Sequence, residues 1–245
     1  MNDGKRSILV LLIHFAVWVA FLALGDWLFL LFPENEAPGG MVLGFTGVIL
    51  GIIVPIHLRR TGVVSYSFLP GKNKFGKTAI FTVLFTAALL CINPGSAIRV
   101  ITQVPAFAPA LFTFLFLLLS ATAYALIFWG GILHVFKREY GPIAAVLVTG
   151  FLFSVYHLSE FAFTPLTAGF LIKMFVGGVL CAGFTVFTGS VFPTLVAQQI
   201  GQFMYFVSLD DNPFKGPDGV IIIGILFVVC YAVYSFVYKR SIRTR

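Results

Sequence analysis

Two residue pairs have the spacing that chemistry inside a membrane would need. His157 and Glu160 lie three apart. Residues three apart on a helix share a face, so an imidazole and a carboxylate can meet there as an ion pair or a hydrogen bond. They are either a structural pair where a helix meets the headgroups or the working groups of a site. Gln198 and Gln202 lie four apart and also share a face, with Gln199 beside them. Two amides on one face bond a neighbouring helix, line a pocket, or do both. Ser120, Thr122 and Tyr124 form a weakly polar patch earlier in the chain. His14 has no acidic neighbour and reads as a packing histidine. His57 precedes Arg59-Arg60, and His134 precedes Lys137-Arg138-Glu139, which places both where a helix leaves the membrane. Asp26 stands near the outer end of the first apolar run, positioned to cap a helix break or to pair with Arg99. No His-Glu-x-x-His, no paired Cys-x-x-Cys, no Gly-x-Ser-x-Gly and no glycine-rich phosphate loop occurs. No metal site and no cofactor is therefore expected.

These groups stand in an apolar chain. Of 245 residues, 59% are hydrophobic and 10% charged, against roughly 25% charged in a soluble domain. That composition cannot cover a water-facing surface, and it excludes a soluble enzyme. Disordered and fibrous chains need polar or strictly periodic composition. A transmembrane barrel needs alternation, whereas the apolar runs here are continuous. The expected class is all-α and polytopic. The net charge of +7 is not read as a nucleic-acid surface, because the basic residues sit at helix ends. Cys91, Cys181 and Cys230 lie in apolar runs and read as small core residues rather than a disulfide framework. The first apolar run is too long for a signal peptide, and the C-terminal Ser-Ile-Arg-Thr-Arg carries no lipidation box.

A crossing helix needs about 20 apolar residues. Eight candidate spans follow: 7–32, 41–58, 78–94, 106–136, 142–161, 166–187, 190–208 and 219–238. Turn-rich polar clusters at 33–40, 70–74 and 210–219 separate spans. With both termini cytoplasmic, the cytoplasmic segments hold Lys5, Arg6, Arg59, Arg60, Lys72, Lys74, Lys77, Lys137, Arg138, Lys239, Arg240, Arg243 and Arg245. Only Arg99, Lys173 and Lys215 fall elsewhere, and reversing the chain or dropping a span destroys that asymmetry. Gly177, Gly178 and Gly183 on the sixth span read as a close helix contact. The whole chain, 1–245, reads as one transmembrane domain with no internal repeat, placed as a multi-pass protein in the plasma or inner membrane.

The stretch from about 120 to 207 resembles the CAAX protease and bacteriocin-processing family of intramembrane proteases. That family's first motif is Glu-Glu-x-x-x-Arg, often with Phe before the Arg and Gly after it. The matching stretch here is Tyr124-Ala125-Leu126-Ile127-Phe128-Trp129-Gly130, which keeps the Phe and the Gly but neither glutamate nor the arginine. The second motif, Phe-x-x-x-His, is met by Phe153 and His157, followed by Leu158. The third, His-x-x-x-Asn or Asp after a proline, falls on Gln198 and Gln202 behind Pro193. The resemblance implies eight helices around a polar site. It also implies that glutamate activates water while histidines and an amide orient it and stabilise the oxyanion.

The departures bear on activity. A neutral phenol with pKa near 10 is a poor general base, so Tyr124 cannot replace a glutamate. Losing a general base costs about 10²–10⁴ in rate. Gln198 shuttles no proton and is a poor ligand for a transition metal. The expectation is a catalytically degenerate relative. It would be an accessory or scaffold subunit held by another integral membrane protein, or a binder of an apolar ligand such as a lipid or isoprenoid, suited by 29 phenylalanines. The alternative is an active intramembrane peptidase with an altered site, using His157 and Glu160. A transporter is disfavoured, because no span carries a charged row and no two spans show matched breaks.

Overall fold

The computed structural model describes residues 3–32, 34, 35, 37–69, 76, 78–80, 82–84, 117–160 and 168–207. Among them every regular element is helical and there is no strand. Helix α1 spans Asp3–Leu31, α2 Ala37–Phe45, α3 Val54–Arg60, α4 Leu133–Glu160, α5 Ala168–Thr188 and α6 Phe192–Val207. Two π-helical segments, Thr46–Ile53 and Ala125–Ile132, join α2 to α3 and lead into α4. Among the described residues four runs are long and apolar enough to cross a membrane: Gly4–Leu31, Ala37–Arg60, Leu117–Leu158 and Gly169–Thr188. The span expected at 78–94 is described only in fragments, and the one at 219–238 lies outside the described residues.

The third run is two helical arms rather than one. Gly141 has φ +84° and ψ 171°, a region open to glycine alone at low cost. Pro142 follows and has no N–H for the ladder. The first arm therefore continues to Tyr140, four residues beyond the expected end of its span, and the second begins at Pro142.

The crossings pack in alternating directions. Gly25 meets Leu43 and Gly39 meets Phe29, so Ala37–Arg60 returns antiparallel to α1. Gly4 lies against the Glu139 carboxylate and Gly131 against Leu11. The arm ending at Tyr140 is thus antiparallel to α1 as well. The second arm of α4 and α5 cross at two glycines: a Cβ on Gly178 would stand 2.9 Å from Gly150 Cα. Small residues let membrane helices approach this closely. Gly177 and Gly183, expected to share the contact, face open space. Gly189, at φ +67°, ends α5. There the backbone N–H groups of Val191 and Phe192 donate to the carbonyls of Ser67 and Phe68 (3.1 and 3.0 Å), pinning the start of α6 to the loop after α3.

One consequence is a gathering of charge. The starts of α1, the end of α3 and the end of the first α4 arm meet at one end of the bundle. Tyr66 links α3 to the Ala125–Ile132 segment and the start of α4, because its ring lies under the Arg59 guanidinium at 5.0 Å, against Gly130 and 6.3 Å from the His134 ring. Lys5, Arg6, Arg59, Arg60, Lys137 and Arg138 all collect there, exposed.

Candidate functional site

Every face of α1 is apolar, so hydropathy alone does not say which face packs. The structure buries Gly4, Ser7, Leu11, His14, Phe15, Trp18 and Gly25, a stripe at the three-and-four spacing of one helix face. At its middle, Trp18 enters an aromatic cluster. Its ring stacks on Tyr156 at 4.9 Å and 17°. Tyr124 and Phe128 meet it edge-on, both with centroids at 5.9 Å. Phe153 joins through Phe128 at 5.2 Å and Trp129 at 5.4 Å. His157 closes the group, 4.7 Å from Phe153 and 4.8 Å from Tyr156, with Phe170 of α5 at 6.0 Å. Edge-to-face pairs of this kind contribute about 0.5–1.5 kcal/mol each beyond area burial.

Three of the residues singled out in the sequence attach to this cluster. The Tyr124 and Tyr156 hydroxyls are hydrogen-bonded at 2.5 Å. His157 Nδ1–H donates to the Phe153 carbonyl at 2.8 Å, which fixes its tautomer and ties the ring to its own helix. Gln198 Oε1 accepts from Trp129 Nε1–H at 3.0 Å, an interhelical bond between α6 and the Ala125–Ile132 segment. One reading of the glutamines is met, since Gln198 joins two helices. Tyr124 and His157 are linked through Tyr156, and His157 and Gln198 through Phe153 and Trp129. The side chains of Glu160 and Gln202 lie outside the described residues, as does Arg99, the expected partner of Asp26. Among the described residues no three His, Cys, Asp or Glu side chains are grouped to hold a metal.

The sequence reading missed the work of two histidines. Leaving a π-helix, the backbone ladder steps from i→i−5 to i→i−4 bonding and passes over one carbonyl. In the first π segment the last such bond runs from Val54 N–H to the Ile49 carbonyl, so the Leu50 carbonyl is passed over, and Pro55 has no N–H to offer it. His14 Nε2–H donates to that carbonyl at 2.7 Å from across the helix pair. In the second, Leu133 N–H bonds the Phe128 carbonyl, the Trp129 carbonyl is passed over, and His134 Nδ1–H donates to it at 2.9 Å. Each π exit thus has its own histidine. Pro55 was the available signal for the first.

Trp18 Nε1 and Thr149 Oγ1 are buried without a hydrogen-bond partner. Each carries a penalty of about 1–3 kcal/mol. Trp18 is 1% exposed and Thr149 fully buried.

The fold and this cluster define a class, a helical bundle whose long apolar helices suit a membrane. No protein-family model, no curated protein and no solved structure matches the chain.

Proposed function

We propose that this chain is a non-proteolytic member of the CAAX-protease-like architecture, an eight-span protein with both termini cytoplasmic, working as a binding subunit for another integral membrane protein. One observation carries the reading. Three side chains at motif positions are engaged within the protein: Gln198 takes the Trp129 indole and Tyr124 bonds Tyr156, each joining two segments, while His157 bonds its own helix. Hydrolysis needs a general base held within reach of a water, and Tyr124 and Ala125 stand where the family has its glutamates. The gathering of Lys5, Arg6, Arg59, Arg60, Lys137 and Arg138 at one end favours placing that end in the cytoplasm.

The test is purification from native membranes in a gentle detergent, with mass spectrometry of the co-eluting proteins and lipids. A stoichiometric membrane protein is the expected result, and a stoichiometric lipid or isoprenoid would make the chain a carrier of that ligand instead. Cleavage of a membrane-anchored peptide reporter that disappears in both His157→Ala and Glu160→Gln would overturn the reading in favour of an altered peptidase.

A further inference from the structure

The basic end of the bundle has more structure than orientation alone requires. Three segments far apart in sequence supply it: Lys5 and Arg6 from α1, Arg59 and Arg60 from α3, and Lys137 and Arg138 from the first arm of α4, all exposed. In sequence, those segments contain two acidic residues, Asp3 and Glu139. Glu139 is engaged, bonded to Arg138 at 2.8 Å and set against Gly4 at the start of α1. Arg59 is held in place, its guanidinium 5.0 Å from the centre of the Tyr66 ring. The Tyr66 ring is itself buried against Gly130. Directly after Lys137 and Arg138, the break at Gly141 leaves Tyr140 and Ile143 exposed at 59% and 77%. An aromatic and an aliphatic side chain beside exposed cations suit the junction of headgroup and acyl chain. A free phosphate would use the cations and leave both unmatched.

We infer that this end of the protein is a binding surface for anionic phospholipid headgroups. Arg59, Arg60 and Lys137 face the phosphates, and Tyr140 and Ile143 lie along the glycerol and upper acyl region. Clustered cations beside a crossing helix attract acidic lipids through charge, and such attraction is screened within about 10 Å at 0.1 M salt. The surface is separate from the aromatic cluster and does not depend on the function proposed above.

The experiment uses the full chain in a neutral detergent containing equal phosphatidylglycerol and phosphatidylcholine, with retained lipid counted by native mass spectrometry. Wild type should retain phosphatidylglycerol several-fold over phosphatidylcholine, and 0.5 M salt should remove most of the preference. The triple variant Arg59→Gln, Arg60→Gln, Lys137→Gln should bring the retained ratio of the two lipids close to one, while a cooperative melt in phosphatidylcholine shows that it is folded. If that variant does not fold, the wild-type salt titration decides alone. Equal retention of the two lipids, a preference indifferent to salt, or full competition by millimolar glycerol phosphate would each overturn the inference.

Discussion

A carbonyl passed over by the helical ladder inside a membrane has no water to turn to. His14 and His134 each meet one such carbonyl, and an unmet buried acceptor costs about 1–3 kcal/mol. His14→Ala should lower stability by that amount in detergent melts. His14→Phe, which keeps a ring but no donor, should not restore it; a variant melting like wild type would remove the capping role. Thr149 offers the opposite case. Replacing its unpartnered hydroxyl by a methyl in Thr149→Val should leave the melting temperature unchanged or raise it. Tyr66, in the loop after α3, ionises above the usual tyrosine range because burial disfavours its phenolate, an effect Arg59 partly offsets. Its unfolded form ionises near 10. The stability it contributes is therefore complete below that pH and is lost as pH rises through the folded value. Alkaline melts of wild type should fall faster above pH 10 than those of Tyr66→Phe. None of these roles is visible in hydropathy. His14 looked like packing because its acceptor is a carbonyl 36 residues away, and only Pro55 hints that the ladder there is broken.

Helix contacts are decided by which residues of an apolar run are small. Gly178 meets Gly150 Cα and Phe153 Cβ at the crossing of α5 with the second arm of α4, while Gly177 faces open space. Gly178→Ala should therefore destabilise by about 1–3 kcal/mol, since its neighbour Gly150 Cα is backbone that cannot yield. Gly177→Ala should be neutral or stabilising through helix propensity. Equal effects in thermal melts would refute the contact. The sequence placed the glycine cluster on the correct helix but could not choose among its members, because choosing requires knowing the rotation of α5. Helix boundaries were legible within a few residues at 142, 188 and 192, where Pro142, Gly189 and Pro193 stand. The end of the fourth span was not. Lys137, Arg138 and Glu139 suggested that the helix leaves the apolar layer, yet polar residues continue a helix readily until a glycine or proline stops it.

At the scale of the whole bundle, the described crossings return repeatedly to the same basic end. Single cysteines at Ser65 and Tyr140 should then react with an impermeant thiol reagent from one side of the membrane, and one at Asn35 from the other. Labelling of Asn35→Cys and Ser65→Cys from the same side would refute this topology. That basic residues gather at one end was legible in the sequence, because charge at helix ends is local information. The aromatic cluster was not legible, since it joins Trp18, Tyr124 and Tyr156 across three separate segments.

That cluster also has an optical meaning. Trp18 and Trp129 are 1% and 0% exposed, whereas Trp27 is 45% exposed on the outer face of α1. Brominated acyl chains should quench Trp27 fluorescence and leave the two interior indoles emitting. The near-parallel Trp18–Tyr156 pair couples two transition dipoles, so the folded protein should have a near-ultraviolet circular dichroism signal that Trp18→Phe abolishes. The intact interior then has a spectrum of its own, readable before any activity is known.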